Sequence, residues 1–95
     1  MGEWKTVSRF VEVEPLGEAV KRAVREGQSI SDLCRRGGFI DKNGKADVSR
    51  LQRTVGLKPT YCSRAKRNVM RRWTRFDTAA RIAKALDLDP VDIGL

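Results

Sequence analysis

"SISDLCRRGGFIDKNGKADVSRLQRTVGL", residues 29–57, reads as two short amphipathic helices joined by a polar turn. Ser29 is placed to cap the first of them, with Asp32 three residues on in capping-box position, although Ser31 competes for the cap. Ile30, Leu33 and Cys34 share its inner face, and Gly37-Gly38 ends it. "IDKNGK" is a turn, tightest at Asn43-Gly44. The next helix is capped by Asp47, or by Lys45-Ala46 with Asp47 in its first turn, and Gly56 closes it. Its apolar face is Val48, Leu51 and Val55, which leaves Ser49, Arg50, Gln52, Arg53 and Thr54 outside.

Upstream, Pro15 suits a first helical turn, and Leu16, Ala19, Val20, Ala23 and Val24 recur at helical spacing as far as Gly27. The expectation is a helix over 15–26. Residues 1–14 read as an arm or short strand, with Val7, Val11 and Val13 on one side. Downstream, Lys58-Pro59 breaks the helical pattern. Thr60, Tyr61, Val69, Trp73 and Thr74 are strand formers on either side of "SRAKRN", so 58–76 is expected as a basic β-hairpin. Its Val69, Met70, Trp73 and Phe76 are assigned to packing. Asp77 is expected to cap a last helix with Ala79, Ile82, Ala83 and Leu86 as its apolar stripe, followed by a short turn capped by Asp89.

Charge is distributed unevenly along this layout. The chain has 95 residues and a net charge of +8, enough for one domain with a single modest core. Residues 42–75 hold eleven Lys/Arg against one acid, Asp47, for a local +10, while the rest carries −2. Like charges gathered so densely repel one another unless a polyanion lies against them. Nucleic acid is the first such partner, and an anionic membrane surface the second. No apolar run approaches a membrane span, and the first fifteen residues lack the apolar centre of a signal peptide. The expected location is cytoplasmic, at the nucleoid, or the host cytoplasm for a phage-encoded chain. There is no histidine, and Cys34 and Cys62 are the only cysteines. The usual general base and any standard zinc spacing are therefore missing. No catalytic residue, metal, cofactor or small-molecule substrate is expected.

Three helices in quick succession, the third with a basic outer face, resemble the lambda-repressor-like (Xre/Cro) helix-turn-helix family over residues 15–93. The fragments that carry the likeness are "ISDLCRRGGF", "DVSRLQR", "TAARIAKALDLDP" and "VDIGL". They are also similar to small helix-turn-helix proteins of actinobacteria and their phages. The resemblance implies a close helix crossing at Cys34, a turn glycine at Gly38, and Val48 with Leu51 as the buried pair of a recognition helix. Two departures stand out. Gly38 and Val48 are ten positions apart rather than about six, and a hairpin replaces a short loop before the last helix. The fold class expected is therefore mainly α, a single helix-turn-helix bundle over 1–95 with one small hairpin wing between the recognition helix and the last helix.

On this reading the partner is double-stranded DNA, and the protein is a sequence-specific regulator of Cro or repressor type acting by operator occupancy. A homodimer is compatible with it. Lys45, Asp47, Ser49, Arg50 and Arg53 are the base-contact candidates. Arg35, Arg36, Lys42, Lys58, Arg64, Lys66, Arg67, Arg71 and Arg72 are the phosphate-contact candidates. Two arginines on an exposed helix often do no more than keep a protein soluble; their place on the third helix of a +10 region favours contact. The alternatives are an excisionase-like architectural DNA binder, or a protein-binding factor such as an antitoxin or a phage protein that captures a host enzyme. RNA is disfavoured because no aromatic platform on a sheet is evident in the sequence.

Overall fold

The computed structural model describes residues 9–89 and 91. Trp4, Val7 and the rest of the arm before Arg9 lie outside the described residues, as do Pro90 and most of the closing fragment. The order is β1 (Phe10–Glu12), α1 (Glu14–Arg25), α2 (Ile30–Gly37), α3 (Val48–Thr54), β2 (Pro59–Cys62), β3 (Arg67–Met70), β4 (Trp73–Arg75) and α4 (Phe76–Ala85).

Local signals account for the helix ends. Ser29 Oγ accepts the Asp32 N–H at 3.3 Å, and Asp47 Oδ1 accepts the Arg50 N–H at 3.1 Å, so each side chain satisfies a donor that a helix N-terminus leaves open. Gly38 follows α2 with φ +80°, a left-handed conformation that glycine adopts without strain. The residues after Phe39 are looped out. Ile40 and Ala46 form an antiparallel bridge, Asp41 Oδ1 accepts the N–H of Asn43 and Lys45, and the Asp47 N–H donates to the Phe39 carbonyl at 2.8 Å. Phe39 and Asp47 are thereby held together, and the loop between them does not lengthen the path from α2 to α3.

The expected bundle with a single hairpin is incorrect. Among the described residues the fold is α+β, with four helices and two small antiparallel sheets, 46% helix and 20% strand. The hairpin that was to fill 58–76 stops at Met70, pairing β2 with β3 from Pro59↔Met70 to Cys62↔Arg67. Trp73 and Thr74 belong to the second sheet, where β4 pairs with β1 in the register Phe10↔Arg75, Val11↔Thr74 and Glu12↔Trp73. The ladder continues past both ends, with Val13 N–H on the Arg72 carbonyl and Phe76 N–H on the Arg9 carbonyl. An arm thus becomes a sheet edge because β4 offers it unpaired backbone groups.

The same pairing moves the start of the last helix. Arg75, not Asp77, is the N-cap residue, since β4 runs straight into α4 and the Phe76 N–H is already satisfied. Asp77 sits in the first turn and accepts the Thr78 N–H. Packing of the hairpin also differs from expectation. Trp73 is 50% exposed and Met70 49% exposed, because both lie on sheet faces turned away from the helices.

The core lies between the four helices, where Leu16, Val20, Leu33, Cys34, Phe39, Leu51, Val55, Ile82 and Leu86 are buried together. Each of the large side chains among them stabilises the fold by about 1.5–3 kcal/mol through burial. Val24, expected on the inner face of α1, is exposed. Gly56 joins this core to the sheets. Its φ is +77°, and a Cβ there would meet the Arg71 carbonyl oxygen at 2.7 Å and Val13 Cγ2 at 3.0 Å. Gly56→Ala should therefore destabilise the protein by more than about 1 kcal/mol. A urea midpoint equal to that of the parent would contradict this. No helix among the described residues is long and apolar enough to cross a membrane.

Candidate nucleic-acid interface

Turning Leu51, Thr54 and Val55 inward leaves Ser49, Arg50 and Arg53 on the exposed side of α3. The Thr54 hydroxyl donates to the Arg50 carbonyl at 2.8 Å, so the short helix is tied along this face. Asp47 is half-buried, with Oδ1 engaged at the cap. Lys42 and Lys45 are exposed on the looped-out turn that precedes the helix.

Arg50 and Arg53 line a groove of about 380 Å³ whose other walls come from Arg71 at the hairpin base, Arg75 on β4 and Arg81 on α4. Thr54, Thr60, Thr74, Thr78, Phe10 and Phe39 complete the lining, and none of these residues is acidic. Phe39 helps to organise the charges. Its buried ring has the Arg50 guanidinium carbon 5.4 Å from its centroid and that of Arg81 5.7 Å away, both within reach of the ring's quadrupole. Arg75 Nε lies 3.8 Å from Asp77 Oδ1, an exposed ion pair of small energy. Arg81 also borders a second depression lined by Arg36 and Lys84, which extends the basic surface across α4 towards the end of α2.

The remaining candidates divide by surroundings. Arg64, Lys66 and Arg67 are exposed at the hairpin tip, where Lys66 has φ +55° and its N–H donates to the Cys62 carbonyl. Lys58 is exposed, with its backbone N–H on the Gln52 carbonyl. Arg35 is paired with Asp32 at 3.1 Å, and the Arg36 guanidinium donates to Gln28 Oε1. Arg71 and Arg72 also line a depression that carries Lys21 together with Glu12, Glu14 and Glu18, so both charges are partly opposed there. Neither Arg75 nor Arg81 was singled out from the sequence. The one signal for Arg81 is that it sits off the apolar stripe of its helix, three residues from Thr78.

The two thiols, both free, have opposite environments. The N–H groups of Ala65 and then Arg64 hold the Cys62 thiol below its usual range, with the Arg64 and Arg67 charges adding to the effect. Burial, followed by the Asp47 charge, pushes the Cys34 thiol up. A lowered pKa raises the thiolate fraction near neutrality, and thiolate is the nucleophile. Iodoacetamide should accordingly modify Cys62 in the native protein, with the reaction setting in below the pH expected of an ordinary thiol. Cys34 should stay protected until denaturant is added. Peptide mass mapping over a pH series reads both, and early labelling of Cys34 would contradict the burial. No group of three His, Cys, Asp or Glu side chains among the described residues is arranged to hold a metal ion.

No protein-family model, curated protein or solved structure matches the chain.

Proposed function

We propose that the protein binds double-stranded DNA in a sequence-specific manner and regulates transcription by occupying its site. The observation that carries this reading is the groove that five arginines line with no acidic residue, Arg50 and Arg53 of α3 among them and Arg75 also paired with Asp77. A polyanion is the partner that relieves the repulsion among those cations. In the proposed complex α3 enters the major groove, Arg50 and Arg53 reach base edges, and the β2–β3 hairpin follows the phosphates. Arg71, Arg75 and Arg81 hold the backbone beside the helix. Selection of binding sites from random duplexes tests it directly. An enriched motif is the expected result, and a palindromic one would bring a dimer with it; a pool left random after selection would end the claim of specificity.

Reading and holding separate by mutation. Arg50→Ala should cost ~1–3 kcal/mol on the selected site and relax preference at one base position. Arg67→Ala or Arg71→Ala should weaken all sequences alike and lower the salt slope by about 0.9 for each phosphate lost. Circular dichroism should show unchanged helix in each variant. If Arg50→Ala retained full preference while a hairpin variant lost it, the roles of α3 and the hairpin would be reversed.

A further inference from the structure

The fold leaves Tyr61, Met70 and Trp73 in water, at 64%, 49% and 50% exposure. The register explains two of them. Pro59 lies opposite Met70 and Tyr61 opposite Asn68, so Tyr61 and Met70 share the face of the hairpin that Thr60 and Val69 do not. Trp73 lines the same shallow depression as both, about 480 Å³ in volume. Three large apolar side chains at one exposed spot on so small a domain mark a contact surface.

Its setting narrows the partner. Arg64 and Arg67 stand at the hairpin tip, and Arg71 and Arg72 border the depression. Glu12, opposite Trp73 across the β1–β4 pair, is the acid that the strand register brings near. A second copy of the chain would bring two strongly basic surfaces together, which their repulsion opposes. An unpaired nucleic-acid base meets both demands, since it offers a flat apolar face beside a phosphate. Continuity points the same way. Arg71, between β3 and β4, lines both this depression and the arginine groove, so a single strand can run from one to the other.

We infer that the outer face of the hairpin, through Tyr61, Met70 and Trp73, stacks on unpaired bases, so that the protein prefers DNA in which single-stranded bases adjoin a duplex. This rests on the DNA-binding reading and adds to it a subsite that base-edge recognition by α3 does not require. Stacking on an aromatic face is tolerant of sequence, because every base has one. The preference should thus depend on the presence of unpaired bases and hardly at all on their identity.

The test uses the full chain with Trp4→Phe, which leaves Trp73 as its one tryptophan. It is titrated at fixed salt with a blunt duplex, with the same duplex carrying a single-stranded overhang, and with phosphatidylserine–phosphatidylcholine vesicles. Affinity for the overhang duplex should exceed that for the blunt one by about tenfold per stacked base, with quenching of Trp73 emission on the overhang duplex. Trp73→Ala and Tyr61→Ala should lose most of that preference and retain blunt-duplex affinity, while Trp73→Phe should keep the preference. Circular dichroism on each variant excludes unfolding as the cause. Equal affinities for the two DNAs, or unquenched Trp73, would overturn the stacking inference and leave duplex binding intact. Failure to bind either DNA would overturn both readings together. Vesicle binding tighter than either DNA would assign the patch to a bilayer surface, and a dimer abolished by Trp73→Ala would assign it to a second copy; either result overturns the inference.

Discussion

Between about 50 and 200 mM monovalent salt, affinity for duplex DNA should fall ~10³ to 10⁵-fold. That is the loss expected when a protein covers roughly six to ten phosphates and releases the counterions condensed on them. The basic surface is large enough for such a footprint. It includes Arg71, Arg75 and Arg81 in the groove, Arg64, Lys66 and Arg67 at the hairpin tip, and Lys42 and Lys45 on the turn before α3. A plot of log affinity against log salt from anisotropy titrations should have a slope of about −5 to −9. A flat titration would remove nucleic acid as the main partner.

Phe39→Ala should be the most damaging single change to stability, costing ~3–5 kcal/mol against a total of about 5–15 kcal/mol for an ordinary domain. Phe39 is 1% exposed and joins α2 to α3, since its N–H donates to the Cys34 carbonyl and its own carbonyl accepts the Asp47 N–H. Its ring also carries Arg50 and Arg81 against it. Truncation leaves a cavity at the centre of the helices and releases two guanidinium groups of the groove. Phe39→Leu separates these effects, because it keeps an apolar side chain in the core and removes the aromatic face. Urea unfolding should rank the parent above Leu and Leu above Ala, and the Leu variant should still show weakened DNA binding. A loss below about 1 kcal/mol for Phe39→Ala would mean that the site collapses around the missing ring.

Much of the layout is legible in residues that act locally. Ser29 and Asp47 announce helix starts because a short oxygen-bearing side chain reaches the N–H three residues on. Gly38 announces an end because its φ of +80° suits few other residues. Pro59 and the strand formers after it announce β2 and β3. Exposure of Arg50 and Arg53 follows from helical periodicity once Leu51 and Val55 are placed inside. The turn at Asn43-Gly44 is also readable, and Gly44 has φ +80° there.

The second sheet was not readable, and the corrections to fold class follow from it. Phe10 and Arg75 are far apart along the chain, and nothing in a weakly alternating arm names its partner. Once β1 and β4 pair, Trp73 turns outward with Phe10, Thr74 turns inward with Val11, and Arg75 displaces Asp77 as the cap of α4. The groove has the same origin. Arg50, Arg53, Arg71, Arg75 and Arg81 stand on four different segments, so no spacing along the chain can place them together. Caps, breakers and amphipathic periods are short-range effects written in neighbouring residues, and they set where the helices and the hairpin begin and end. Which strand takes the arm, which aromatics stay in water and which arginines face one another are set by long-range pairing and by the single core that all four helices share.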